Sequence, residues 1–307
     1  MALSDSNAAR IAARTGVRLR LEVPGREVTT VAAGGTLRAL FEPENLVQLQ
    51  ALLHALSDEG QPYRILGAGS NLLIADEGIA DCVVRLGAGF REVRFVDDTT
   101  IDIGGANGLM RISRNLSAAG LSGIEFASGI PASVGGAVRM NAGAHGGQIA
   151  DIVSAVDCVD PAGERFTLDG AELKFGYRRS TLPEGAIVIS ARIKLVRGEP
   201  GEIERRRSEL LAYRKSTQPL TVPSFGSVFK NPSPARSAGA IIEELGLKGR
   251  RHGGAEISSL HANWIVNPER SATVTEIRAL IAECQHHASL GGAGDLEPEV
   301  VIWEGGR

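Results

Sequence analysis

Arg64-Ile-Leu-Gly-Ala-Gly-Ser-Asn-Leu72 decides how the rest of the chain is read. Arg64 to Leu66 has the look of a short strand, and it runs straight into a glycine loop, as a dinucleotide-binding unit would. The G-x-G-x-x-G fingerprint nevertheless fails. Its last glycine would stand where the chain has Leu72, and no helical pattern opens there. The G-K-[ST] of a triphosphate loop is missing as well. What survives is physical: Gly67 and Gly69 let backbone approach an anion closely, and Ser70 and Asn71 add short donors. An ordinary tight turn uses the same residues.

A second stretch strengthens the ligand reading. Gly129-Ile-Pro-Ala-Ser-Val-Gly-Gly-Ala137 and Met140-Asn-Ala-Gly-Ala-His-Gly-Gly147 place Gly129, Gly135, Gly136, Gly143, Gly146 and Gly147 close together. Glycines this dense disfavour regular helix or strand, where each costs up to about 1 kcal/mol. They predict irregular backbone pressed against something, either a long structural loop or, with the first loop, a cofactor containing pyrophosphate. Ser133 resembles a nucleophile-elbow serine, but Pro131 occupies the leading glycine of G-x-S-x-G, which argues against a hydrolase.

Composition agrees with two unusual loops in an otherwise ordinary globular chain. The 307 residues suit two domains at roughly 150 residues each. The 38 glycines make about 12%, against a typical 7%, with no collagen-like period. Aromatics are only 4%, which disfavours a stacking platform for single-stranded nucleic acid. A net charge of −3 gives no broad basic field for nucleic acid or anionic membrane. Cys82, Cys158 and Cys284 are far apart with no C-x-x-C pair, so neither a disulfide scaffold nor a metal site is expected. Met1 to Leu21 has four arginines and no apolar core, which reads as a surface helix rather than a secretory signal. No apolar run reaches about 18 residues, and a cytoplasmic location is expected.

Outward from the loops, Thr29 to Leu40 reads as extended and Pro43 as the opening of a helix ending at Gly60. Strands are predicted at 82–86, 92–96, 99–103, 152–159, 165–168 and 187–195, with a helix at 109–119. Gly198-Glu-Pro-Gly201 is the expected domain boundary. Beyond it lie helices at 202–215, 238–245 and 273–284 and strands at 264–266 and 299–303. The helix at 273–284 opens on a capping box, Thr273-x-x-Glu276, and should bury Val274, Ile277, Leu280 and Ile281. The expected limits are a lead at 1–25, a first domain at 26–200 with subdomains at about 26–86 and 87–200, and a second at 201–307.

Six segments carry a resemblance: Leu66-Gly-Ala-Gly-Ser-Asn-Leu-Leu73, Ser128-Gly-Ile-Pro-Ala-Ser-Val-Gly-Gly-Ala137, Met140-Asn-Ala-Gly143, Phe175-Gly-Tyr-Arg-Arg-Ser180, Gly226-Ser-Val-Phe-Lys-Asn-Pro232 and Leu296-Glu-Pro-Glu-Val300. In this order, from about Thr29 to Val300, they resemble the UDP-N-acetylenolpyruvoylglucosamine reductase family of peptidoglycan precursor synthesis. The resemblance implies an α+β fold, with a two-subdomain FAD-binding domain of the vanillyl-alcohol-oxidase (PCMH) type before a smaller α+β substrate-binding domain. The short connection from Arg178 to the strand at Ile187 resembles the subclass lacking a tyrosine-bearing insertion. It also implies that NADPH and UDP-N-acetylglucosamine enolpyruvate use one cleft in turn, which explains the missing dinucleotide fingerprint.

By that resemblance FAD, held non-covalently, meets Gly67, Ala68, Gly69, Ser70, Asn71 and Leu72 together with Gly129, Ile130, Ser133, Gly135, Gly136 and Gly143. Arg178 is implied as the clamp on the substrate carboxylate, Ser227 as proton donor and Glu299 as active-site acid. Glu297 would share the face of Glu299 on a regular strand, and only the motif separates them. Tyr177, Arg214, Asn231 and His261 align with residues lining the substrate cleft, and Arg205 to Arg207 reads as a solvated helix face. Arg139 and Gln148 depart from the aromatic and acidic residues expected there. No metal is implied, and a monomer is expected. An FAD-dependent sugar or alcohol oxidase, or a flavin- or nucleotide-sugar-binding protein without turnover, are the competing readings.

Overall fold

The computed structural model describes residues 3–233, 235–292 and 294–305. The chain forms two compact units, one of Met1–Leu21, Ala39–Ala68 and Asp81–Tyr213, the other of Glu22–Arg38, Gly69–Ala80 and Arg214–Arg307. These limits differ from those expected at 25/26 and 200/201. Gly198 to Gly201 leads from strand Val196–Arg197 into helix Pro200–Thr217, and the units divide inside that helix. Pro200 opens that helix, since proline is at home in a first helical turn.

The first unit has two hydrophobic cores. Residues 1–25 are not a mere lead, because helix Asp5–Thr15 buries Ala8 and Ile11 in the first core. Beside them helix Leu46–Asp58 buries Leu49, Leu52, Leu53 and Leu56. That helix opens at Leu46 rather than at Pro43, since the Asn45 side chain accepts the Gln48 N–H at 2.9 Å and so caps it. A four-stranded sheet runs in the order Arg18–Pro24, Thr36–Glu42, Ile79–Val84, Tyr63–Ile65. Only part of the predicted 29–40 strand forms. Thr29 Oγ1 donates to Gly25 O at 2.9 Å and Ala33 O at 2.8 Å, closing local turns instead of joining a ladder.

The second core lies under a five-stranded antiparallel sheet, ordered Arg165–Asp169, Val153–Val159, Ile187–Lys194, Thr100–Gly104, Val93–Phe95. Its period of two buries Ile101, Ile103, Val156, Cys158, Ala191 and Ile193. Asp102 faces the other way and pairs with Arg192 at 2.7 Å. Helices Leu109–Ala118 and Val134–Arg139 contribute to the same core. The second helix corrects the expectation that the glycine-dense stretch is irregular throughout. Ser133 caps it by accepting the Gly136 N–H at 3.2 Å.

In the second unit, helices Ala238–Glu244 and Val274–Leu290 bury Ile241, Ile242, Val274, Ile277, Leu280 and Ile281 in one core. The predicted capping box is present, with Thr273 and Glu276 bonding reciprocally. A three-stranded sheet is ordered Arg251–His252, Ala255–Ile257, Ile265–Val266. Strand Leu72–Ile74 pairs in parallel with Val301–Trp303, Leu72 standing opposite Val301. A strand, not a helix, therefore follows the first glycine loop, which is why Leu72 could break the dinucleotide fingerprint. Among the described residues no helix is long and apolar enough to cross a membrane.

Candidate active site

The first unit carries Gly67, Ala68, the second glycine stretch, Tyr177 and Arg178. Within it the two loops meet. A Cβ on Gly67 would stand 2.7 Å from Ser133 Oγ, and one on Gly136 would stand 3.1 Å from the same oxygen. Gly67 and Ala68 are exposed, and Ile130 and Ser133 are half-buried. Neither Leu66–Leu72 nor Ser128–Gly136 contains a carboxylate, so each loop offers short neutral donors with no negative charge of its own. This donor set suits the pyrophosphate of FAD. Gly135 has a different reason to be glycine: a Cβ there would lie 3.1 Å from Val188 O, where the helix packs on its strand.

Arg178 sits at the tip of a tight turn. Gly176 N–H donates to Arg179 O at 3.0 Å and Arg179 N–H donates back to Gly176 O at 3.2 Å. Arg178 has φ +57°, left-handed backbone that disfavours any residue with a Cβ. Its guanidinium carbon lies 5.3 Å from the Tyr177 ring centroid, and Nη1 donates to Gly143 O at 3.3 Å. Asn141, 2% exposed, donates from Nδ2 to Gly176 O at 3.0 Å and accepts the Ala150 N–H at 3.0 Å. It ties the turn to the strip bearing Gly143. Arg178 is half-buried whereas Arg179 is exposed, a distinction that adjacency in sequence could not make.

The second unit gathers Gly69, Ser70, Asn71 and Leu72 with Ser227 and Glu299. A Cβ on Gly69 would stand 1.9 Å from Val28 O, so glycine is obligatory there. Glu299 N–H donates to Val228 O at 2.8 Å, and Asn71 Nδ2 donates to Glu299 O at 3.1 Å. The serine segment, the acid segment and the loop are thereby laced together through backbone. Lys230 N–H donates to Glu297 O at 2.9 Å, and Lys230 Nζ pairs with the Glu297 carboxylate at 2.5 Å. Glu297 is thus committed to a surface ion pair, with its side chain 69% exposed, while Glu299 is half-buried.

The remaining cleft candidates differ from one another. Arg214 is 8% exposed, and its Nε donates to Gln218 Oε1 at 2.9 Å. Asn231 is exposed, and its Oδ1 accepts the Ala238 N–H at 3.1 Å at the start of a helix. His261 Nδ1 accepts the Asn263 N–H at 3.2 Å. Burial, then the nearby Lys248 ammonium, hold its imidazole below the usual range, so it is neutral and serves its own loop. Arg205 pairs with Glu209 at 2.7 Å on the solvated face read from sequence, whereas the Arg207 side chain, only 13% exposed, is largely covered and pairs with Glu204 at 2.6 Å. Arg139 Nη2 donates to Ala186 O at 2.6 Å, and Gln148 joins a capping box with Asp151. Burial pushes the thiols of Cys82, Cys158 and Cys284 up to about 12, which leaves none of them a thiolate nucleophile.

Residues 218–303 match the model of the UDP-N-acetylenolpyruvoylglucosamine reductase C-terminal domain, and residues 37–169 match an FAD binding domain. The UDP-N-acetylenolpyruvoylglucosamine reductase of Heliobacterium modesticaldum is 42% identical over 89% of this chain and 87% of its own length. That of Synechococcus sp. strain RCC307 is 43% identical over 93% and 94%. The chain belongs to this reductase family. The crystal structure of the family member from Thermus caldophilus superposes with a TM-score of 0.83 at 38% identity, covering 94% of this chain and 99% of that one. Ser227, Asn231, His261 and Glu299 fall within the C-terminal match, and both glycine loops within the FAD-domain match. Tyr177, Arg178 and Arg214 lie outside both.

Sequence reasoning missed the buried asparagines Asn141, Asn263 and Asn267, which are 2%, 3% and 0% exposed. The available signal was Asn263-Trp-Ile-Val-Asn267, where two amides flank an apolar run. Buried amides there must hydrogen-bond to backbone or side chains.

Proposed function

We propose that the chain catalyses the NADPH-dependent reduction of UDP-N-acetylglucosamine enolpyruvate to UDP-N-acetylmuramate, a step of peptidoglycan precursor synthesis. The observation that carries the reading is the lacing of Val228, next to Ser227, with Glu299 and Asn71 in the second unit. The same reading makes the enzyme a cytoplasmic monomer that meets both nucleotide substrates in solution.

When bound, FAD supplies the relay that takes hydride from NADPH and gives it to C3 of the enolpyruvyl ether. Gly67 to Leu72, Gly129 to Gly136 and Gly143 are the residues that would hold its pyrophosphate. Neither loop contains a histidine for a covalent link, so the flavin is dissociable. Hydride addition at C3 builds negative charge at C2 and on the adjoining carboxylate. Arg178 clamps that carboxylate through two parallel hydrogen bonds. Ser227 gives its hydroxyl proton to C2 and recovers one from solvent. A serine is a weak acid, but a C2 carbanion is a strong base, so placement counts for more than acidity. Glu299 in its acid form donates a hydrogen bond to the developing enolate. Tyr177, Arg214, Asn231 and His261 line the cleft, the last with its Nδ1 held by the Asn263 N–H.

The test separates two half-reactions under anaerobic conditions. NADPH should bleach the flavin of both wild type and Ser227→Ala, and the enolpyruvyl substrate should restore the yellow colour quickly only in wild type. Loss of bleaching in Ser227→Ala removes the proton-donor role. Rapid reoxidation by oxygen, with none by the enolpyruvyl nucleotide, replaces the reductase with an oxidase.

A further inference from the structure

Ser227 has one carbon between its backbone and its reactive oxygen, so the position of that oxygen is set by the backbone on either side. One side chain grips this backbone beside two main-chain bonds. Asn263, 3% exposed, accepts the Phe229 N–H on Oδ1 at 2.9 Å and donates from Nδ2 to Phe229 O at 2.8 Å. Its own carbonyl accepts the Val228 N–H at 3.0 Å. Val228 O in turn receives the Glu299 N–H at 2.8 Å. Asn263 therefore grips both polar groups of Phe229, and the residue next to Ser227 is held on one side by Asn263 and on the other by Glu299. Val228 and Phe229 are each 1% exposed, so no water competes for these bonds.

We propose that Asn263 is a positioning residue of the reaction, acting through Ser227 by fixing the Val228–Phe229 backbone. The inference rests on the proton-donor reading of Ser227. A displacement of about 1 Å at a reacting group costs on the order of 10²-fold in rate, and a hydroxyl on so short a side chain cannot compensate for a moved Cα. A merely structural amide would lower stability without distinguishing one half-reaction from the other.

The experiment uses FAD-loaded Asn263→Ala and Asn263→Asp, each alone and combined with Ser227→Ala. The aspartate keeps an acceptor for the Phe229 N–H and loses the donor to Phe229 O. Expected are near wild-type bleaching by NADPH, reoxidation by the enolpyruvyl nucleotide slowed about 10²-fold, and faster amide exchange at Val228 and Phe229. In the double variants Asn263 should add little to the loss from Ser227→Ala, because the group through which it acts is gone. Wild-type reoxidation in variants that retain flavin overturns the proposal, as does an undiminished Asn263 effect in the Ser227→Ala background. Loss of flavin in both Asn263 variants marks a general fold determinant and overturns it too. If Ser227→Ala alone reoxidises normally, the serine reading fails and this inference falls with it; normal reoxidation in the Asn263 variants beside a slow Ser227→Ala refutes the inference alone.

Discussion

The turn that carries Arg178 and the segment that carries Ser227 are built on opposite principles. The turn is short and strained, with Tyr177 52% exposed and Arg178 at φ +57°. Its support comes mainly from its own pair of backbone bonds and from Asn141. The serine segment leads into buried Val228 and Phe229 and is gripped by Asn263 and Glu299. The difference follows from side-chain length. A guanidinium on a long flexible stem can find a carboxylate over some range of backbone positions, whereas a serine hydroxyl cannot. Rigidity is concentrated where the side chain offers no adjustment.

The largest effect that tests this contrast is at Arg178. Replacing it with alanine should lower kcat/KM for the enolpyruvyl nucleotide by about 10²–10³-fold, the usual loss for one group stabilising a developing oxyanion. Lysine should recover only part, because it keeps the charge but not the two-pronged fork. Arg178→Gly should be as inactive as alanine yet more stable by about 1 kcal/mol, since glycine carries no left-handed penalty. Steady-state kinetics and urea denaturation check the two halves. Equal stability of the glycine and alanine variants would show that the turn is not strained in solution.

A smaller effect should appear on the rigid side. Strand Leu72–Ile74, which pairs with Val301–Trp303 next to Glu299, ends two residues before a turn that opens at Asp76. The Asp76 carboxylate accepts the N–H groups of Val274 and Thr275 at 2.8 Å each, and the Thr275 hydroxyl at 2.7 Å, so it caps helix Val274–Leu290. Burial alone would raise its pKa, but the bonds from the Thr275 hydroxyl and the two N–H groups outweigh it and hold the carboxyl below its ordinary value. A carboxyl depressed in the folded state stabilises at pH above its unfolded value, near about 3.9, and that stability is lost as pH falls through the lower folded value. Asp76→Asn should cost about 1 kcal/mol at neutral pH, a typical capping loss, and should flatten the stability profile below about pH 4. The carboxylate is exposed, so salt should shrink the difference. An unchanged acid limb in the asparagine variant would assign that limb to other carboxylates.

The periodic parts of the fold were legible in sequence, while the reasons for individual glycines were not. Helix Val274–Leu290 announced itself through Thr273, Glu276 and an apolar stripe, all local features. Gly69 and Gly135 looked alike as loop glycines, yet one is demanded by Val28 O and the other by Val188 O, neighbours distant in sequence. The two units were hidden for a related reason: residues 22–38 and 69–80 join the second by packing, with no change of composition to mark it. In the site, Arg178, Ser227 and Glu299 could be chosen only through the ordered motifs. Asn263 escaped notice because an amide inside an apolar run declares its burial only when its partners are known.

The smallest effect is the sharpest test of that gap, because Glu297 and Glu299 were equivalent by alternation. The structure distinguishes them through Lys230, whose ammonium pairs with an exposed Glu297. A surface pair of this kind is worth about 0–1 kcal/mol. Glu297→Gln should therefore change stability by less than about 0.5 kcal/mol and leave both half-reactions untouched. Glu299→Gln, measured beside it, should keep part of the activity that Glu299→Ala loses, because an amide N–H can still donate to the enolate while a methyl cannot. If Glu297→Gln slows reoxidation as much as Glu299→Gln, the acid lies on the Lys230 side and the segment that Asn263 and Val228 hold in place serves the wrong glutamate.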